Sequence, residues 1–274
     1  MLNPAPQHAA SGDAPSCEMT VDGTAYRASG HGDPLILVHG VGLCKDVWEP
    51  QIAAFQDTHQ VIAYDMFGHG GSRLAAADAG LEHFVAQLAD LLDALQIESA
   101  HIAGHSMGAL VALGFALAHP HRVRRLAAIN AVYDRSPEQR ASVLERAAEI
   151  ERVGPQSAAS RAIARWFGDE PDAAAIPAVE RVRTWLRDAD PVGYAKAYRI
   201  FATGDHAHVG RLPTLSMPVL YLTGDLDPNS TPEMSRRMAS ETPKGRAMSL
   251  PDERHMMCLV SAEKVNPVLR EFFR

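Results

Sequence analysis

Apolar residues fall along this chain in two alternating rhythms. Short continuous runs, LILVHG (35–40), QVIAYD (60–65), AHIAG (100–104), RLAAIN (125–130) and PVLYLTG (218–224), read as strands buried on both faces of a parallel sheet. Between them, DVWEPQIAAF (46–55), LEHFVAQLADLLDALQI (81–97) and the run from Met107 to Ala118 read as helices. Alternating strands and helices predict an α/β protein with a mostly parallel sheet flanked by helices. Upstream, Asp22-Gly23 supplies the turn of a short hairpin.

The alternation stops between Asp134 and Leu215. There SPEQRASVLERAAEIERV, SAASRAIARWF, AIPAVERVRTWLRDA and PVGYAKAYRIFA read as short amphipathic helices with no strand among them. The expected organisation is a core of 17–133 and 216–274, a helical cap over 134–215, and a flexible leader over 1–16, rich in Pro, Ala, Ser and Asp. A length of 274 residues suits one such domain with an insertion, and 46% hydrophobic with 22% charged residues supplies an ordinary globular core.

A net charge of -7 argues against a nucleic-acid surface. No signal-type apolar segment opens the chain, and no run approaches the ~18 apolar residues of a membrane span. Three widely spaced cysteines, Cys17, Cys44 and Cys258, suggest reduced thiols in a cytoplasm. The expected partner is a small-molecule substrate; a homo-oligomer is compatible with the sequence, although no patch points to one.

The candidate chemistry centres on GHSMG, Gly104 to Gly108, where a strand-like run precedes Ser106 and a helix-compatible run follows it. That is the setting of a nucleophile elbow, a turn sharp enough to demand small neighbours. A serine hydroxyl needs a base to take its proton and a carboxylate to orient the base. In the chain order serine, acid, histidine, only His255 of the 13 histidines remains beyond His208. For the acid, Asp227 is preferred over Asp225, which is expected to shape the turn by bonding backbone amides; Asp134 is a further alternative.

Five segments together resemble the α/β-hydrolase-fold superfamily: LVHGVGL as its oxyanion loop, YDMFGHGGS as its glycine-rich turn, GHSMGAL as its elbow, GDLDPNS as its acid turn and ERHMM as its histidine loop. The resemblance implies a triad of Ser106, Asp227 and His255, and an oxyanion hole made by the Val41 and Met107 amides. Gly40 and Gly42 would let the main chain around Val41 approach a substrate, so Gly40 is also a candidate contact. FGHGGS is read as structural, with His69 a hydrogen-bonded loop residue. Met66-Phe67 stands where relatives often carry proline or arginine, which leaves the local lining open.

HGVGLCKDVWEPQIAAF, IARWFGDE and DPVGYAKAYRIFATGD most resemble enol-lactonases of the 3-oxoadipate type. That implies hydrolysis of a lactone or carboxylic ester of a small, acidic substrate through an acyl-enzyme, with no metal or organic cofactor. Arg165 beside Trp166 is the candidate cation; the plainer reading is a solvated or carboxylate-paired Arg165 and a Trp166 packed in the cap. Carbon-carbon hydrolysis of ring-cleavage products is an alternative, and a ligand receptor without turnover is one of a different class. A serine at the elbow excludes dehalogenase and epoxide-hydrolase chemistry, whose nucleophile is aspartate.

Overall fold

Two strands set the frame: β5 (Ala100–His105) and β7 (Val219–Gly224) are buried at every position, as continuous apolar runs are when helices cover both faces of a sheet. The computed structural model describes residues 17–274; the expected leader, 1–16, lies outside them. The remaining strands are β1 (Glu18–Met19), β2 (Ala25–Ser29), β3 (Asp33–Val38), β4 (His59–Tyr64), β6 (Val123–Ile129) and β8 (Gly245–Leu250). Among the described residues they form one eight-stranded sheet in the order β1-β2-β4-β3-β5-β6-β7-β8. The β1–β2 and β2–β4 pairings are antiparallel and all others parallel. The hairpin turn at Asp22-Gly23 joins β1 to β2, with Gly23 at φ +77°.

The helices are α1 (Glu49–Phe55), α2 (Leu81–Ala94), α3 (Met107–Ala118), α4 (Pro137–Val153), α5 (Gln156–Phe167), α6 (Ile176–Asp188), α7 (Pro191–Thr203), α8 (Pro232–Glu241), α9 (Met257–Val260) and α10 (Ala262–Phe273). The stretch 46–55, expected as one helix, instead divides into a 3₁₀ turn over Lys45–Trp48 and then α1. Pro50 lacks the N–H that would bond back into the preceding turn, so the α-helix begins beside it. The strand pleat separates the two helical layers. His101 of β5 packs its ring on Phe273 of α10, whereas Gly104, on the opposite face, meets the backbone of Gly108 in α3. Among the described residues no helix is long and apolar enough to cross a membrane.

Between β6 and β7 the chain makes α4 to α7 with no strand among them. Ser136 caps α4: its hydroxyl accepts Gln139 N–H while the Gln139 side chain accepts Ser136 N–H at 3.0 Å. The Asp190 carboxylate caps α7 by accepting Gly193 N–H at 2.8 Å. At one point this helical insert meets the core backbone to backbone. A methyl group at Gly68 would lie 2.6 Å from Gly193 Cα, and one at Gly193 would lie 2.5 Å from Gly68 O.

Candidate active site

Ser106 stands between β5 and α3 at φ 55° and ψ -115°, a conformation that L-residues reach only under constraint. The constraint is visible on both sides. A Cβ at Gly104 would fall 2.2 Å from Gly108 O, and one at Gly108 would fall 2.2 Å from Val38 O. Both glycines of GHSMG are therefore required by close backbone approach, and the turn between them projects the serine from the sheet.

The candidate acid and base come from the loops that follow β7 and β8. His255 Nδ1 lies 2.7 Å from Asp227 Oδ2, and both side chains are almost wholly buried. The same oxygen accepts Asn130 Nδ2–H at 2.8 Å, while Asp227 Oδ1 accepts the N–H groups of Asn229 and Ser230 at 2.8 and 3.3 Å. Burial opposes ionisation of Asp227, but the His255 charge and this set of hydrogen bonds outweigh it and hold the carboxyl below the usual carboxylate range. With the carboxylate ionised, His255 carries its proton on Nδ1, leaving Nε2 as the basic nitrogen.

One expectation is corrected here. Asp225 was to shape the turn by bonding backbone amides, yet it is exposed, and the side chain that gathers those amides is Asp227 itself. Asp134 is occupied elsewhere, paired with Arg237 at 2.6 Å and with His206 at 3.2 Å. Sequence reasoning also missed His105, whose Nε2–H donates to His255 O at 2.9 Å and whose ring packs 4.8 Å from the His255 ring. Burial first, and the neighbouring His255 second, push the His105 imidazole down to about 3, so it is a neutral strut.

Val41 sits in the loop after β3. Leu43 N–H donates to Gly40 O at 3.2 Å, closing a tight turn, and Gly42 holds φ +75° within it. Among the described residues neither the Val41 nor the Met107 amide N–H has a protein hydrogen-bond partner. Gly40 does not face the cavity described next; a Cβ there would sit 3.2 Å from Ser106 Cβ and 2.9 Å from His105 Nδ1. Its place is one of close packing behind the serine.

A cavity of about 380 Å³ opens over the elbow, walled by Ser106, Val41 and His255 from the sheet side and by residues of α4, α5 and α7. It is of a size to hold a small ligand. On α4 the lining positions Glu138, Gln139, Ser142, Val143 and Arg146 follow the spacing of one helix face. Trp166 of α5 stacks on His255, ring centroids 5.9 Å apart and planes at 24°, so it meets the candidate base as well as packing within the insert.

Three arginines line the cavity, and they differ in commitment. Arg135 bonds Phe201 O and Ala202 O and shares the buried Asp205 with Arg140. Arg146 bonds only neutral groups, Tyr198 Oη at 3.2 Å and Ser142 Oγ at 2.7 Å. Arg165 is half-buried and, among the described residues, has neither a hydrogen bond nor a carboxylate partner, so of the two plainer alternatives the carboxylate-paired one finds no partner while the solvated one is compatible with its place on the cavity wall. Burial above all, and then the neighbouring Arg146 charge, lower its pKa from the usual guanidinium value. Arg146 was missed because α4 is polar on more than one face. The signal available was its spacing with Gln139 and Ser142.

Comparison with known proteins fits this geometry. A family model described as alpha/beta hydrolase fold matches residues 33–262. The chain is 39% identical over 245 residues to an (E)-2-((N-methylformamido)methylene)succinate hydrolase of Acinetobacter baylyi, covering 89% of this chain and 92% of that one. It is 30% identical over 197 residues to 3-oxoadipate enol-lactonase 1 of the same organism, covering 72% of each. Among solved structures, the enol-lactonase from Burkholderia xenovorans superposes with a TM-score of 0.85 at 25% identity, over 94% of this chain and 99% of that one.

Proposed function

Since the chain belongs to the alpha/beta hydrolase family, we propose that it is a serine hydrolase cleaving a lactone or carboxylic ester of a small, carboxylate-bearing substrate through an acyl-enzyme. One observation carries the reading: His255, joined to Asp227 at 2.7 Å, borders the same cavity as Ser106 and as two guanidiniums that are not paired with any carboxylate among the described residues, although Glu138 also lines it. The relatives' names are of succinate and 3-oxoadipate compounds, which agrees with a site that attracts carboxylates.

In this mechanism His255 Nε2 takes the Ser106 proton as the hydroxyl attacks the carbonyl. The oxyanion that develops is held by the Val41 and Met107 N–H groups, the latter at the positive end of α3. Asp227 orients the imidazole and stabilises its cationic form. The leaving oxygen takes the proton from His255, departing as an alcohol from an ester and staying tethered to the acyl chain from a lactone. Water then enters, gives a proton to His255 and attacks the acyl-enzyme; as that intermediate collapses, His255 returns the proton to Ser106 Oγ and the acid product is released. Helices α4 to α7 act as a cap that limits water around the reacting carbonyl, while Arg146 and Arg165 hold the substrate carboxylates. The three free cysteines, Cys17, Cys44 and Cys258, suit a reducing, cytoplasmic setting.

The similarity to the succinate-derivative hydrolase spans nearly all of both chains, and it favours a second reading in which the attacked carbonyl is a formamide. Three probes separate the two: p-nitrophenyl acetate, an enol-lactone bearing a carboxylate, and an N-formyl enamine of a succinate. The expected result is a nitrophenol burst in the parent that disappears in Ser106→Ala, with kcat/KM on the two acidic probes ranking lactone against formamide. A parent protein that gives no burst and turns over none of the three refutes the reading.

A further inference from the structure

We propose that His39 and His69 form a pair of neutral imidazoles that aims the Val41 N–H at the substrate oxygen, making both positioning residues of the oxyanion hole. The proposal rests on the serine-hydrolase reading above and assigns a task to two buried histidines and a glycine-rich turn that the mechanism leaves unused.

Gly40 C=O and Val41 N–H belong to one planar peptide group and point in opposite directions. Whatever fixes the carbonyl therefore aims the N–H. Gly40 O accepts from His39 Nδ1 at 2.7 Å and from Leu43 N–H at 3.2 Å, so it is held from two sides. His39 is itself fixed, because Met66 N–H donates to its Nε2 at 2.9 Å. The next peptide is held the same way: Gly42 N–H donates to His69 Nε2 at 3.0 Å, and His69 Nδ1 lies 3.1 Å from Phe67 O. The two rings meet edge to face with centroids 5.0 Å apart.

Each ring thus has one permitted state, proton on Nδ1 and lone pair on Nε2, since a proton on Nε2 would confront an amide N–H. Burial supports that state. It lowers the pKa of His39, against the raising influence of Asp65 and Asp46 and alongside the lowering influence of Lys45, and with the His39 neighbour it pushes His69 down to about 3. Asp65 is itself paired with Lys45 at 3.0 Å. Glycines at 40 and 42 would otherwise leave the Val41 peptide free to rotate. Donation into Gly40 C=O also polarises the same amide and strengthens the N–H on its far side.

The test has one arm that needs no catalysis. Nitrogen-15 NMR of histidine-labelled protein should show both imidazoles neutral with Nδ1–H from pH 5 to 8. An imidazolium or an Nε2–H tautomer on either ring overturns the proposal. In the kinetic arm, His39→Leu and His69→Leu should lower kcat for p-nitrophenyl acetate about 10- to 100-fold, somewhat less than outright loss of an oxyanion donor, with KM within about threefold. His39→Asn, which offers an N–H near the Nδ1 position, and His69→Gln, which offers an acceptor near Nε2, should recover most of the loss. Affinity for phenylboronic acid, which forms a tetrahedral adduct on Ser106, should fall in parallel with kcat while affinity for acetate stays constant. Unchanged kcat in the leucine variants, or boronate and acetate affinities falling together, overturns the positioning role. If a leucine variant fails to fold, the Asn and Gln variants and the NMR states decide. A parent that turns over no ester while showing the expected tautomers instead sinks the hydrolase reading, and the catalytic role with it.

Discussion

Arg165 offers the sharpest test of how the cavity selects its substrate. It is half-buried, lines the cavity with Ser106 and His255, and has no carboxylate partner among the described residues. A charge-assisted hydrogen bond to a substrate carboxylate is worth about 1.5 to 3 kcal/mol. Coulomb attraction at about 4 Å with an effective dielectric near 20 sets a ceiling of about 4 kcal/mol. Arg165→Ala should therefore lower kcat/KM for an anionic substrate by about 10- to 150-fold, from the conversion of 1.4 kcal/mol per factor of ten. Arg146→Ala should act in the same direction, and the double variant should lose less than the product of the two, because both guanidiniums address the same charge. The assay compares p-nitrophenyl propionate with the mono-p-nitrophenyl ester of succinic acid, which share a leaving group and differ in one carboxylate. Rising salt should narrow the preference for the anionic ester. In the empty protein, losing Arg165 relieves both its desolvation and its repulsion by Arg146, so the variant should melt no lower than the parent. Equal losses on both esters would refute the assignment, because the arginine would then be serving structure or chemistry instead of recognition.

Asn130→Leu removes a hydrogen bond of 2.8 Å from the oxygen that faces His255 and should cost about 1.5 to 3 kcal/mol in kcat/KM or stability, read by kinetics and by urea unfolding. Because the folded-state pKa of Asp227 is lowered, its ionisation stabilises the fold above the ordinary aspartate pKa and that contribution is lost as pH falls through the folded value; the variant should bring this loss to higher pH. His69 and His105, each pushed from 6.5 to about 3 by burial first, remain neutral in the fold while the unfolded chain takes up protons. Stability should thus fall by about 1.4 kcal/mol per pH unit for each ring below pH ~6.5; a flat urea midpoint between pH 7.5 and 5 would contradict their neutrality. Gly108→Ala would place a methyl group 2.2 Å from Val38 O and should abolish soluble expression or lower stability by about 3 kcal/mol or more. A well-folded variant would mean that the elbow is far less tightly packed than its distances indicate.

Much of this arrangement was legible in the residues because the sheet is built from continuous apolar runs, and such runs have few other ways to bury themselves. The parallel order from β4 to β8, the helix beginning at Met107 and the strandless stretch between β6 and β7 follow from that. What stayed hidden depends on directions that periodicity does not fix. Asp225 and Asp227 are both turn aspartates after one strand, and which gathers backbone amides is decided by where the chain bends. His105 fills an x position of the G-x-S-x-G pattern, which carries no chemical signal, yet its ring reaches across to the carbonyl of His255, 150 residues away in sequence. Arg146 is one polar residue among many on α4, and only the packing of α4 against α7 decides which of its faces meets the cavity.

The glycine-to-glycine seat between residues 68 and 193 bears on engineering. Where these two main chains touch, no side-chain volume has to be matched, so a 134–215 segment grafted from a homologous scaffold should seat there provided that the graft carries glycine at 193 and the host keeps Gly68, with the Trp166–His255 stack the side-chain contact to be matched. A graft bearing alanine at 193 would be lifted off its seat, and the cavity over Ser106 would be opened to solvent even with every chemical group intact.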